Sequence, residues 1–201
     1  MSVYACDFAR SDGFAGFIRL ELREHEGVAW YWTYLVGVPG IDGILVVRDH
    51  EVPLPRQRLE IRTEGLWAEL VCETPNEHWT FGLEAFGLRL DASEDALRPG
   101  GEIGERVAVG LDLEWEVAPD GPPAGTVHGD VLVEREQWTI EAPGWFYEDT
   151  NLRPKTALQG RSGTQVGERG EVLERVIIPG VGERRLVRGA RGVYWTPVVE
   201  G

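Results

Sequence analysis

The amino-acid sequence predicts an all-β protein, an antiparallel β-barrel with a partly ordered C-terminal extension. Residues 107–117 carry the clearest signal: Val, Leu and Trp occupy the odd positions, while Asp112, Glu114 and Glu116 occupy even ones. Successive strand side chains point to opposite faces, so this segment predicts one apolar and one acidic wall, whereas a helix would spread the apolar groups around its axis. Other segments repeat the pattern, and none has the period of a long amphipathic helix.

The same alternation, interrupted by turn residues, predicts nine or ten strands. Ile18, Leu20 and Leu22 share one side of the first segment, and His25-Glu-Gly27 turns it into the next, which favours a hairpin. Beyond it, apolar runs alternate with turns that contain Gly, Pro or Asn. The predicted strands cover residues 13–24, 28–36, 41–49, 58–63, 66–73, 78–90, 107–117, 126–134 and 136–142, with a brief helical turn at Ala92–Leu97.

Evenly spaced strands of this kind are typical of a sandwich or a barrel, and the aromatic side chains favour the barrel. A barrel of about eight to ten strands has an interior that holds a ligand or is filled by its own side chains. For any single ring, core packing is the simpler interpretation. The candidate walls of a ligand cavity are Trp30, Trp32, Tyr34, Trp79, Phe81, Trp115, Trp138, Trp145 and Tyr147.

Charge divides the chain into residues 1–150, the predicted barrel, and residues 151–201, a basic extension rich in Gly and Arg. The extension has nine Arg or Lys and five Glu, a net charge of +4; since the whole chain carries −14, residues 1–150 carry −18. Within the extension, Val172–Ile178 and Gly192–Val199 are predicted as one or two added strands. The basic segment either docks on the acidic body or on a partner subunit, or is solvated.

Composition and charge also narrow the partners and the compartment. A net charge of −14 repels a phosphate backbone, so nucleic acid is not expected as a partner. No apolar stretch is long enough for a membrane span, and the N-terminus has no signal-peptide pattern, so we expect a cytoplasmic protein. Cys6 and Cys72 are then expected as free thiols.

Most cofactor and catalytic motifs are missing from the sequence. The four histidines are scattered and neither cysteine belongs to a CxxC pair, so no metal site is predicted. There is no Gly-x-Ser-x-Gly elbow and no P-loop, and a strand follows Gly101-Glu-Ile-Gly104 where a dinucleotide fingerprint requires a helix. We therefore expect no cofactor.

Two short segments carry candidate catalytic residues. In the first, three aromatic residues precede Glu148 and Asp149 at the predicted end of a strand. A carboxylate held against aromatic rings is desolvated, which suits it for general-acid work, and aromatic faces stabilise a carbocation. The alternative is an ordinary strand end with both acids in water. The second is His78, beside a turn, which is either a proton shuttle or a surface histidine.

Several motifs occur in an order that points to a family. Gly65-Leu-Trp-Ala-Glu-Leu70 comes first, then Glu73-Thr-Pro75 and Trp79, then residues 107–117. Two further motifs follow, Gly125-Thr-Val-His-Gly-Asp-Val-Leu-Val133 and Ala142-Pro-Gly-Trp-Phe-Tyr-Glu-Asp149. Over roughly residues 13–150, this order resembles the lipocalin-like superfamily of hydroxyneurosporene synthase (carotenoid 1,2-hydratase) and the AttH-type proteins.

The resemblance implies a calycin-type, lipocalin-like β-barrel that binds apolar molecules, with hydratases and cyclases among its members. Such proteins often carry an Arg-Asp-His stretch near the end of the matched region. This chain lacks it and keeps only an acidic residue, Glu148 or Asp149, in that place. Members usually have two barrels in one longer chain, so a homodimer would supply the second barrel here.

Three hypotheses for the function result. In the first, the barrel binds a hydrophobic small molecule, such as a terpenoid, polyketide or lipid-like metabolite, and acts on it as a hydratase, cyclase or isomerase. Its candidate catalytic residues are Glu148, Asp149 and His78. In the second, the protein carries such a ligand without changing it. In the third, it is an interaction module that acts through residues 151–201. The sequence leaves the identity of the ligand and its turnover open.

Overall fold

The computed structural model is all-β. It describes residues 2–41, 43–90 and 104–148 in full, together with the backbone of four strands between residues 160 and 197. The strands are β1 Ser2–Ala9, β2 Ala15–Arg23, β3 Val28–Val36, β4 Ile44–Pro53, β5 Leu59–Thr63, β6 Leu66–Thr74, β7 His78–Leu90, β8 Glu105–Val117, β9 Ala124–Val133, β10 Glu136–Glu148, β11 Gly160–Gly167, β12 Gly170–Ile178, β13 Gly182–Gly189 and β14 Gly192–Pro197.

The first ten strands form one antiparallel sheet in which most neighbours are also consecutive in the sequence. Its order is β4-β3-β2-β1-β10-β9-β8-β7-β6-β5, so that the first strand, β1, lies beside the last, β10. An additional pairing of β4 with β7 closes eight of these strands into a ring, and β6 and β5 extend the sheet beyond β7. The prediction of an all-β, antiparallel, barrel-like protein is confirmed at this level.

The ring closes because β7 shares one of its edges between two partners. Its first part, from His78 to Ala85, pairs with β6, and its last residues, from Leu88 to Leu90, pair with β4. Gly87 lies where the partner changes. A Cβ at that position would lie 2.9 Å from the Val46 carbonyl oxygen and 3.0 Å from a methyl of Val47. The missing side chain therefore lets β4 approach β7 closely enough to pair with it.

The inner face of the ring is packed with apolar side chains from all ten strands. On β8, Val107, Val109, Leu111, Leu113 and Trp115 are 0–4% exposed, and the side chains between them face outward. The alternation in residues 107–117 thus marks the inner and outer faces correctly, and the outward position predicted for the acids at 112, 114 and 116 is confirmed. The same parity on β7 places Trp79, Phe81 and Leu83 inside.

A second apolar cluster lies on the outer face of the ring, over β1 to β4 and the end of β10. On β3 the alternation divides the residues into Ala29, Tyr31 and Leu35 inside and Trp30, Trp32 and Tyr34 outside. The outer set is nevertheless only 1–3% exposed. Both faces of this strand are therefore buried, so its sequence reads as a nearly continuous apolar run and does not reveal which side faces the interior.

Several predicted boundaries are wrong, each for a physical reason. No strand was predicted at β1, because both of its faces are buried and its sequence has no polar side to alternate with. The third predicted strand, 41–49, is shifted to β4, Ile44–Pro53, which ends on proline. The strand predicted at 136–142 continues to Glu148, because Pro143 and Gly144 remain paired with β9.

The C-terminal strands form a second, four-stranded antiparallel sheet with the order β11-β12-β13-β14. The expectation of one or two added strands is therefore too low. The two predicted segments correspond to β12 and β14, while β11 and β13 are rich in Gly and Arg and show little apolar alternation. The predicted helical turn at Ala92–Leu97 lies outside the described residues. In the part of the chain that the structure describes, no helix is long and apolar enough to cross a bilayer.

Replacing Gly87 by alanine is expected to lower the free energy of unfolding by about 1–3 kcal/mol, because the new methyl group must displace the backbone of β4. Urea unfolding followed by circular dichroism measures this. Gly65→Ala is the matched control, since a Cβ there meets only the Arg106 guanidinium, at 3.8 Å. Its effect should stay within about 0.5 kcal/mol. Equal losses in the two variants would contradict the closure argument.

Candidate functional site

Chemically distinctive side chains collect on the inner face at one end of the ring. The sheet register places Trp79 of β7 opposite both Cys72 of β6 and Trp115 of β8, and Tyr4 of β1 opposite Glu148 of β10. Directly paired residues share a face of the sheet. We call this set the mouth cluster; its members are Tyr4, Cys72, Trp79, Trp115, Phe146 and Glu148.

Phe146 lies at the centre of the mouth cluster. Its ring centroid is 4.5 Å from that of Trp79, 5.4 Å from that of Trp115 and 5.8 Å from that of Phe81. Tyr4 also contacts Trp79, at 5.7 Å between centroids. All four of these ring pairs are tilted, and their centroid separations lie in the range over which aromatic rings attract one another. The result is an aromatic floor beneath the polar groups of Tyr4, Cys72 and Glu148.

The indole N–H groups of Trp79 and Trp115 distinguish this floor from an ordinary core. Trp79 is 2% exposed and Trp115 is 0% exposed, and within the described part of the chain neither Nε1 has a hydrogen-bond partner. A buried donor without a partner costs about 1–3 kcal/mol, and native proteins contain few of them. Two such donors lie within this one aromatic cluster, and a third, the Nε1 of Trp32, lies in the outer cluster.

The pKa values of two side chains in the mouth cluster are shifted by burial and by nearby negative charge. The pKa of Tyr4 is raised, first by burial and then by the negative charges of Glu148 and Glu24. The pKa of Cys72 is also raised, by desolvation and then by the charges of Glu148 and Glu73. Both groups therefore stay protonated at neutral pH, and both respond to the Glu148 carboxylate. The mouth thus offers a neutral phenol and a neutral thiol beside an acidic residue.

The aromatic segment before Glu148 divides between the two faces of β10. Phe146 points into the ring, whereas Trp145 and Tyr147 belong to the outer cluster. The sequence analysis selected the two outer residues and passed over the inner one. Ile140 and Ala142 face inward, and every second residue after them on β10 has the same orientation. Following this alternation would have identified Phe146 as an inner residue. Glu148 has the inner parity and lies exposed at the rim, and Asp149 lies outside the described residues.

The remaining predicted wall residues divide in the same way. Trp79, Phe81 and Trp115 face the interior, and Trp138 is half-buried against the same core at the other end of β10. Trp30, Trp32 and Tyr34 lie on the outer face. The ring wall separates the two groups, so the structure brings only the first group together with the mouth cluster.

His78 lies on the outer face, away from the mouth cluster. Its Nε2 is 2.8 Å from a carboxylate oxygen of Glu114 on β8, and a second pair, His128 and Glu116, is separated by 3.7 Å. These half-exposed pairs are cross-strand contacts that stabilise a sheet modestly. Within the described residues, no group of His, Cys, Asp and Glu is arranged to hold a metal ion.

Charged side chains pack against the aromatic rings of the outer cluster, and the sequence analysis did not identify them. Glu21 of β2 bridges two guanidinium groups, Arg19 at 3.1 Å and Arg23 at 2.6 Å. Arg23 lies 4.0 Å above the ring of Trp30, and Arg19 lies 4.9 Å from that of Trp32. Glu21 is only 4% exposed, so these contacts act in a desolvated setting where cation–π attraction is strongest. They hold the outer aromatic rings in one arrangement.

Comparison with protein-family models, with curated proteins and with solved structures finds no match to this chain.

The two cysteines should differ sharply in reactivity toward a chromogenic disulfide reagent. Cys72 is exposed and should react in the native protein, although slowly, because its raised pKa leaves little thiolate. Cys6 is 1% exposed on the inner face, and burial, then the charge of Asp7, raise its pKa further. It should react only after unfolding.

Glu148→Gln should accelerate the reaction of Cys72 roughly twofold at low ionic strength, because the variant removes a negative charge that disfavours the thiolate. Glu116→Gln, on the outer face of β8, is the control and should leave the rate unchanged. If both cysteines react in the native protein, or if Glu148→Gln has no effect, then the mouth is not arranged as described.

Proposed function

We propose that the ring binds an apolar small molecule that carries at least one hydrogen-bond acceptor, and that it does so at the mouth cluster. The observation that supports this is the pair of buried indole N–H groups of Trp79 and Trp115, which have no partner in the described part of the chain. A carbonyl, hydroxyl or ether oxygen would satisfy either donor. The surrounding aromatic faces would bury the hydrocarbon part of the ligand.

This chemistry fits an oxygenated terpenoid, polyketide or lipid-like molecule. It agrees with the resemblance to lipocalin-like proteins, which implies a calycin-type barrel that binds apolar molecules. Ligand entry from this end requires Phe146 or Tyr4 to move aside, because both contact Trp79. Tyr4 is the less buried of the two, so its rotation would be the easier opening.

The same mouth would support an acid-assisted reaction if the ligand contains an alkene. Glu148, when protonated, or the Tyr4 phenol would donate a proton to one alkene carbon, and the resulting cation would lie over the rings of Trp79 and Phe146. Water or a second alkene of the same molecule would then add to the cation and release a proton. The exposed position of Glu148 favours simple binding over this reaction. A non-catalytic carrier is therefore the leading form of the proposal.

Extraction of the purified protein with organic solvent, followed by mass spectrometry, should recover an oxygenated apolar molecule. Titration of the ligand-free protein with that molecule should quench the tryptophan fluorescence. Trp79→Phe and Trp115→Phe should each weaken binding by about three- to tenfold, because each keeps the ring and removes one hydrogen bond worth about 1 kcal/mol. Trp67→Phe is the control, since Trp67 lies outside the ring and its indole donates to Glu60.

The proposal fails if no ligand co-purifies and none of a panel of oxygenated terpenoids and fatty acids quenches the fluorescence. It also fails if Trp67→Phe weakens binding as much as the two inner variants do. Incubation of the recovered molecule with Glu148→Gln and with the unaltered protein distinguishes carriage from catalysis. An unchanged ligand in both samples indicates a carrier, whereas a product formed only by the unaltered protein assigns the acid role to Glu148.

A further inference from the structure

A groove of about 710 Å³ crosses the outer face of strands β6 to β9, on the opposite side of the wall from the ring interior. Among the described residues, Phe86 and Leu132 are the large hydrophobic side chains that stand exposed, at 55% and 40% of their surface. Both line this groove, together with Trp67, Glu84, Gly110 and Glu134. Exposed apolar groups that converge on one concavity are characteristic of a binding surface, whereas scattered ones are not.

The sheet register explains the shape of the groove. Trp67, Glu84, Gly110 and Leu132 lie directly opposite one another on four successive strands. Trp67 and Leu132 form the two walls, and Gly110, which has no side chain, leaves the depression between them. Adjacent strands are about 4.8 Å apart, so the distance between the walls is roughly 14 Å, which an extended peptide crosses in about four residues. The groove is therefore of a size to accept a short peptide segment.

The charges around the groove favour a binding partner with positive charge. Three carboxylates line it, those of Glu64, Glu84 and Glu134, and two guanidinium groups lie beside them. One is that of Arg62, which is paired with Glu60 at 3.3 Å, and the other is that of Arg106. The chain as a whole carries −14. The exposed face of Phe86 already holds one cation, because Arg106 lies 4.2 Å above its ring. An anionic partner, such as a nucleic acid or an acidic membrane surface, would be repelled.

We propose that this groove docks an extended polypeptide segment that presents both aliphatic and Arg or Lys side chains to it. The aliphatic side chains would contact Leu132 and Phe86, and the cationic side chains would reach Glu84 and Glu134. Every second side chain of an extended segment points the same way, so the aliphatic and cationic residues must follow one another at every second position. Desolvated apolar contacts of this kind provide most of the affinity of such interfaces, while charge provides selectivity and a faster association rate.

Fluorescence anisotropy with a fluorescein-labelled peptide of repeated Arg-Arg-Leu-Leu units, the Arg–Leu peptide, tests the proposal on the full chain, because each face of this peptide presents both kinds of side chain. We expect a dissociation constant in the micromolar range, on the order of 10 μM, that weakens as salt is added. A peptide of repeated Arg-Arg-Ser-Ser units, the Arg–Ser peptide, should bind at least about tenfold more weakly, because it lacks the apolar contacts. A peptide of repeated Glu-Glu-Leu-Leu units should not bind.

Variants of the protein locate the binding. Leu132→Ser should weaken binding of the Arg–Leu peptide at least about fivefold, and the double variant Glu84→Gln with Glu134→Gln about tenfold. All of these positions are exposed on the outer face, so circular dichroism should show unaltered folding. Glu116→Gln is the matched control: it is on the same face, six residues from Gly110 along β8, or roughly 20 Å. It should change binding by less than about twofold.

Three results would overturn the proposal. The first is no binding of the Arg–Leu peptide up to about 1 mM, the weak end of measurable affinity. The second is equal binding of the Arg–Ser peptide, which would indicate attraction to the net charge alone. The third is an equal loss in Glu116→Gln and in the groove variants, which would place the binding elsewhere on the acidic surface.

Discussion

The pairing of β4 with β7 is the contact on which the rest of the ring depends. Without it, the first ten strands would form an open sheet with two free edges, and the inner face would have nothing to pack against. The pairing requires β7 to be long enough to serve β6 first and β4 afterwards, and it requires Gly87 at the point of exchange, because a Cβ there would contact the Val46 carbonyl. One glycine and one long strand thus convert a meander into a closed ring.

Closure also gives the two faces of the wall different chemistry. The inner face is enclosed, so its polar groups must find partners inside or remain unsatisfied, as the indoles of Trp79 and Trp115 do. The outer face is acidic and partly exposed over β6 to β9, but aromatic and buried over β1 to β4. The proposed ligand site and the proposed peptide groove therefore occupy opposite sides of the same strands. They differ in chemistry because one side excludes water and the other does not.

The candidate site was only partly predictable, and Phe146 shows why. The sequence analysis chose Trp145, Tyr147 and Glu148 from residue type, since large rings and carboxylates are the groups that bind and react. Residue type does not indicate on which face a side chain lies. Where a strand has one solvated face, as β8 has, alternation decides the matter, and Trp115 was assigned correctly. Where both faces of a strand are buried, as on β3 and the end of β10, no row of polar residues marks the solvent-facing side. Alternation then does not show which side chains face inward.

The sequence by itself determined that the chain is built of antiparallel strands, which segments of residues 66–134 form them, and which residues of β8 face the core. Those properties depend on local alternation and turn chemistry, which a window of ten residues contains. Only the tertiary structure decided that β1 exists and pairs with β10. It also decided that Trp30 and Trp32 lie outside the ring, whereas Trp79 and Trp115 lie inside. Finally, it decided that Phe86 and Leu132 line the same groove. Each of these depends on contacts between residues distant in the chain, and those contacts are set by the closure of the ring.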